Sequence, residues 1–160
     1  IDTPCGEMHF QDYWVGLKGV LPVKSLRLKG IDMARPSPGF LKLLKEESVV
    51  LLGPSNPVTS IGPILALPGV RESLVGKKIV ALSPFVADRP VSGPAANFMR
   101  ACGVPASEEG VISLLGKVDL FIVDKSSSYR GECVRLDTLM RTKEDSIRLA
   151  KELLELISCS

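Results

Sequence analysis

The stretch Ser48–Leu67, SVVLLGPSNPVTSIGPILAL, constrains this chain more than any other. Val49, Val50, Leu51 and Leu52 form a short, wholly apolar run, the pattern of a strand covered on both faces. Gly53 ends it, and Pro54-Ser55-Asn56-Pro57 follows, a turn-forming stretch whose residues fix φ or cap free amides. Thr59 or Ser60 is placed to N-cap a helix whose first turn contains Pro63. A buried strand, a polar loop and a helix start in that order bring unpaired backbone N–H groups and the positive end of a helix dipole to one point, an anion cradle. Tight βα connections also occur in which the hydroxyls only cap the helix. Here Ser55, Asn56, Thr59 and Ser60 exceed what capping needs, so Gly53, Ser55, Asn56, Thr59 and Ser60 are read as a phosphate or nucleotide site.

Alternation of strands and helices extends this unit along the chain. Leu21 to Lys29 has strand character, with strict apolar-polar alternation from Leu26 to Lys29, as for a strand with one wet face near a sheet edge. Ser37 is placed to cap a helix with Pro38 at its first position and Phe40, Leu41 and Leu44 as its apolar stripe. Together with Val49–Leu52 this predicts a βαβ unit with a right-handed crossover. Lys78 to Pro84 reads as a second buried strand and Val118 to Asp124 as a third, ending in a carboxylate. A shorter strand is predicted from Glu132 to Leu136. Ser92 is the expected cap of a helix from Pro94 to Cys102, and Ser107 of the next, with Glu108 and Glu109 complementing its dipole. Thr142 and Asp145 have capping-box spacing before an amphipathic helix with Ile147, Ala150, Leu153, Leu154 and Ile157 on one face. The pattern predicts an α/β fold, a Rossmann-like three-layer domain with a mainly parallel sheet, spanning residues 1–160 as a single domain. Ligands of such sheets bind beyond the carboxyl ends of the strands, which adds Ser92 and Gly93 to the predicted phosphate site.

Ile1 to Val15, IDTPCGEMHFQDYWV, holds the only histidine and the only tryptophan. Alternation of Met8 and Phe10 with His9, Gln11 and Tyr13 suggests an extended segment. Its density of Glu7, His9, Gln11, Asp12, Tyr13 and Trp14 suggests ligand recognition, although a lone histidine is more often simply hydrogen-bonded.

Twenty basic and eighteen acidic side chains in 160 residues leave the chain nearly neutral, which argues against a nucleic-acid or anionic-membrane partner. No apolar run approaches a membrane span. Cys5, Cys102, Cys133 and Cys159 lack metal-ligand spacing and read as reduced thiols of a cytoplasmic protein. The chain opens at Ile1 inside what reads as a motif, so a piece of a longer protein is expected.

The blocks TPCGEMHFQDYWV, GPSNPVTSIGPIL, SGPAANFM and DTLMRTKEDSIRLA together resemble the 2-phospho-L-lactate transferase (CofD-like) family of deazaflavin-coenzyme biosynthesis. The resemblance runs from Thr3 to about Leu153, and GPSNPVTSI is its most specific part. It implies a C-terminal half of a dimeric, cytoplasmic enzyme that moves a 2-phospholactyl or phosphoenolpyruvyl group from a guanosine diphosphate-linked donor to the deazaflavin Fo, releasing GMP with the help of Mg2+. It further implies an acceptor pocket that includes His9 and Gln11. Metal ligands and catalytic residues are expected outside this chain, so the chain alone is expected to be inactive. Lys125-Ser126-Ser127 follows Asp124 where the family pattern suggests another acid, so Asp124 is read as capping a turn. The alternatives are a non-catalytic nucleotide-binding protein of the related gluconeogenesis-factor-like group, which lacks the HFQ block, and a scaffold used only for assembly.

Overall fold

In the computed structural model, which describes residues 1–91 and 93–158, two-residue strands β1 (Asp2–Thr3) and β2 (Gly6–Glu7) pair antiparallel at the start of the chain. The extended segment predicted for Met8–Val15 is instead helical from Phe10, with a π-helical turn over Asp12–Gly16. The reason lies in the aromatic spacing. Phe10 and Tyr13, three residues apart, both stack on Phe98, with ring centroids 6.0 and 5.6 Å away. Tyr13 is wholly buried, and its hydroxyl reaches the carbonyls of Gly19 and Leu21 at 3.0 and 2.8 Å.

Leu21–Lys29 forms no strand. Its alternation finds no neighbour beyond a single antiparallel bridge between Asp2 and Ser25, and Leu28 stays exposed. Helix α1 (Pro38–Glu46) follows, started by Ser37, whose Oγ accepts from the Phe40 N–H at 3.2 Å with Pro38 next in line, as predicted. With no strand over residues 21–29 to join the sheet of β3, the βαβ unit expected there does not form.

Strand β3 (Val49–Leu52) leads into a π-helical turn, Pro57–Ile61, that continues as α2 (Gly62–Leu65). Next come α3 (Val70–Ser73), β4 (Lys78–Leu82), the hairpin β5 (Phe85–Val86) and β6 (Arg89–Pro90), and α4 (Ala95–Ala101). The chain ends with α5 (Glu108–Leu115), β7 (Leu120–Asp124), β8 (Val134–Leu136) and α6 (Lys143–Ser158). The main sheet has the order β3-β4-β7-β8 and is parallel throughout. Thus β3 is an edge strand of this sheet, not a strand covered on both faces, and Leu51 is 46% exposed.

Alternate residues of the strands face two apolar layers, as the pleat requires. Ala81, Phe121 and Val123 pack with Leu44, Leu65, Val70, Met99, Val111 and Leu115 from α1 to α5. On the other face Val80, Leu82 and Ile122 pack against Leu149 and Leu153 of α6. Burying each such side chain stabilises the fold by roughly 1.5–3 kcal/mol. The predicted apolar face of α6 is rotated from the real one. Leu153 and Ile157 of the predicted face do pack on the sheet, joined by Leu149, whereas Ile147, Ala150 and Leu154 are exposed. Its capping box forms as expected, with Thr142 Oγ1 accepting from the Asp145 N–H and Asp145 Oδ2 accepting from the Arg141 and Thr142 N–H groups.

Candidate functional site

Because all four strands are parallel, the segments at residues 53–56, 83–91, 125–133 and 137–138 follow strand ends on one rim. The first of these departs from expectation in who caps the helix. Asn56, 8% exposed, is the N-cap in place of Thr59 or Ser60. Its Oδ1 accepts from the Val58 and Thr59 N–H groups at 3.0 and 3.2 Å, and its carbonyl accepts from Ser60 and Ile61. Asn wins because the residue after it is Pro57, preorganised for the first helical position and lacking an N–H. Two of the amides expected to face an anion are therefore already satisfied.

What the loop does present are hydroxyls. Ser55 and Thr59 are half-buried, Ser60 is exposed, and none of the three side chains bonds another described residue. Gly53 is exposed at the strand end. Neutral O–H donors of this kind, with the Nδ2 of Asn56, suit the oxygens of a phosphate.

The second rim loop, after β4, reaches Gly93 and α4. Ser92 lies outside the described residues. Gly93 has φ +61°, and a Cβ there would lie 3.3 Å from the indole of Trp14. Both facts favour glycine. The same contact shows where the N-terminal block sits. Through Phe10, Tyr13 and Trp14 it covers α4 and the turn before it, and α4 packs on the π-helical turn Pro57–Ile61. His9 and Gln11 are exposed on this block, with His9 Nδ1 accepting from the Gln11 N–H at 3.2 Å. Glu7 is held in an exposed ion pair with Arg27 at 2.8 Å.

Asp124 ends β7 and is buried, accepting from both the N–H and the hydroxyl of Ser126 and of Thr138. Burial raises the pKa of its carboxyl, but those four donors outweigh burial and hold it below the usual range. It caps the turn, as predicted. Cys5, Cys102 and Cys133 are free thiols, and Cys159 lies outside the described residues. Among the described residues no group of three or more His, Cys, Asp or Glu side chains is arranged to hold a metal ion. The described residues do not fit a magnesium site. Nor is any described helix long and apolar enough to cross a membrane.

One rim residue escapes sequence reasoning. Glu108, which the pattern places in a solvent-facing first turn, is 3% exposed. The Ser83 hydroxyl donates to its Oε2, and Ser127 Oγ lies 3.3 Å from Oε1. Burial, the largest influence, pushes this carboxyl up; the two serine hydroxyls pull it down, and Asp88 and Glu109 push it further up. A glutamate at a helix start carries no local sign of such surroundings, since Ser83 and Ser127 are distant in sequence. Glu108 lines a cavity of about 210 Å³ with Phe85, Asp88, Ser107, Tyr129 and Arg130.

The family model described as 2-phospho-L-lactate transferase CofD matches residues 1–157. A protein of Methanosarcina mazei named 2-phospho-L-lactate transferase is 42% identical over 160 residues, covering 94% of this chain and 53% of that protein. The protein of the same name from Methanopyrus kandleri is 41% identical over 165 residues, covering 98% of this chain and 53% of its own length. A third, from Halobacterium salinarum, is 40% identical over 153 residues, with 94% and 45% covered. The chain spans about half the length of these curated relatives. It belongs to the 2-phospho-L-lactate transferase CofD family.

Proposed function

We propose that this chain is part of an enzyme that transfers a 2-phospholactyl or phosphoenolpyruvyl group from a guanosine diphosphate-linked donor to the ribityl hydroxyl of the deazaflavin Fo, releasing GMP. The hydroxyl gives up its proton to solvent as its oxygen bonds to the phosphorus that carries the transferred group, and the bond from that phosphorus to the bridging oxygen breaks, leaving GMP. Such chemistry draws its rate from positioning and from neutralising charge on the diphosphate. The observation that carries the reading is the loop beyond β3, where Ser55, Thr59 and Ser60 keep free hydroxyls within a chain that matches the family from residue 1 to 157. In this reading Gly53, Ser55, Asn56, Thr59 and Ser60 hold donor phosphate, together with Gly93 and its sequence neighbour Ser92. His9 and Gln11 line the acceptor side, carried there by the aromatic block on α4. Magnesium, if the reaction uses it, is held by residues outside this chain.

The test is to incubate the purified full-length protein with donor, Fo and magnesium and to look for the joined phosphodiester and GMP. Product formation by the full-length protein and none by residues 1–160 alone is expected. Absence of product from the full-length protein overturns the reading; turnover by the short chain at the full-length rate overturns the placement of the metal and catalytic groups elsewhere.

A further inference from the structure

Glu108 joins three pieces of the rim that are distant in sequence. Each hydroxyl that it meets also anchors backbone: Ser83 Oγ accepts from the Phe85 N–H at 3.0 Å and Ser127 Oγ from the Tyr129 N–H at 3.2 Å. Ser127 Oγ also lies 3.5 Å from Asp88 Oδ1, and that oxygen accepts from the Ser128 N–H at 2.8 Å. Asp88 and Ala87 form the tip of the β5–β6 hairpin at φ 60° and 48°, a backbone that non-glycine residues adopt only when held. The second tie on that tip is the Ala87 N–H, which donates to Ser126 Oγ at 3.0 Å.

A serine hydroxyl has one proton to donate. If Glu108 and Asp88 are both ionised, Ser127 serves only one of them, and two negative charges face each other across a single oxygen. A proton on Glu108 Oε1 resolves this. Glu108 then donates to Ser127 Oγ, Ser127 donates to Asp88, and Ser83 still donates to Oε2, so every group has a partner.

We infer that Glu108, in its protonated form, is a positioning residue that clips the β5–β6 hairpin through Ser127 to the loop after β7. The titratable and charged groups around the cluster are Asp88 on the hairpin, Glu109 on α5 and Tyr129 and Arg130 on the loop; Arg135 on β8 acts on Asp88, and its guanidinium holds the carbonyls of Ser127 and Tyr129. The N-terminal end of α5 favours the ionised form, and burial with the two neighbouring carboxylates opposes it. The hairpin leads directly to the turn at Gly93. The functional consequence, a fixed rim beside the phosphate loop, rests on the transferase reading; the clip itself does not.

The experiment is amide hydrogen exchange on the full-length protein across a pH series, corrected for intrinsic rates, for wild type, Glu108→Gln and Glu108→Ala. In wild type, amides of residues 85–89 and 126–129 should lose protection by about tenfold as pH rises and Glu108 gives up its proton. In Glu108→Gln the side-chain amide donates where the acid proton did, so protection should stay within about threefold of wild type at low pH and show no step. Glu108→Ala should be unprotected throughout. Glu108→Gln as loose as Glu108→Ala, or wild type with no pH step, overturns the inference. If Glu108→Ala does not fold, wild type against Glu108→Gln decides alone. The exchange pattern holding in a protein without transferase activity would sink the transferase reading and leave the clip standing.

Discussion

Replacing Asn56 in two ways separates its structural role from its proposed chemical one. Its Oδ1 takes two N–H groups at 3.0 and 3.2 Å from a position only 8% exposed. Asn56→Ala removes the cap, at roughly 0.5–2 kcal/mol, and leaves two poorly hydrated donors, so the total should be about 2 kcal/mol. In a full-length protein of the relatives' size, about twice this chain, that lowers Tm by about 3 °C. Asn56→Asp keeps the capping oxygen and should stay within about 0.5 kcal/mol of wild type, because Asp caps as well as Asn. It also replaces the Nδ2 donor with a negative oxygen. Losing a hydrogen bond to a charged phosphate is worth roughly 1.5–3 kcal/mol, about tenfold or more in donor affinity, before repulsion is added. The assays are a thermal melt and donor KM, both on the full-length protein. Unchanged donor KM in Asn56→Asp refutes the phosphate assignment, and an unchanged Tm in Asn56→Ala refutes the cap.

Three further outcomes are expected. Gly110→Ala should destabilise by about 1–3 kcal/mol in urea unfolding despite the better helix propensity of alanine, because its Cβ would meet the Pro105 carbonyl at 1.9 Å and Met99 at 2.9 Å. Thr142→Ala removes the acceptor for the Asp145 N–H and should cost about 1 kcal/mol in the same assay. The pH profile of stability should have two limbs of opposite sign. Asp124 has a lowered folded pKa, so its contribution is present above the unfolded carboxyl value and is lost as pH falls through the folded one; Asp124→Asn should flatten that acid limb. Glu108 has a raised folded pKa, so its contribution is present below the unfolded value and is lost as pH rises through the folded one; Glu108→Gln should remove that step.

The sheet and most helices were legible because their signals are local. Val49–Leu52, Lys78–Leu82 and Leu120–Asp124 are apolar runs bounded by turn residues, and Ser37-Pro38 marks a helix start by itself. Misreadings arose where a pattern fits two partners. Short alternation in Met8–Val15 hid the three-residue spacing of Phe10 and Tyr13, and Leu26–Lys29 alternates without a strand to pair with. In α6, Leu153 and Ile157 of the predicted stripe do face the sheet, but Leu149 completes the buried face in place of Ile147, Ala150 and Leu154, and only the sheet chooses between them. An apolar run such as β3 records surface to be covered, not what covers it. Asn-Pro was the available clue to the true helix cap. Glu108 offered none, since its surroundings arise from tertiary closure.

The parallel sheet also has a second rim, at the amino ends of the strands. There Asp119 Oδ2 accepts from the Ile79 N–H at 2.8 Å, the Ile79 carbonyl accepts from the Asp119 N–H, and the Ser48 carbonyl accepts from Lys78. These are strand-to-strand ties, made by backbone and by one carboxylate. Mutational tolerance should therefore divide along the strand axis. One rim can drift through changes that alter only how firmly the sheet is laced, while the other can acquire new specificity through its loops. Selection on stability and selection on chemistry then act on opposite ends of the same four strands, so a change in one need not compromise the other.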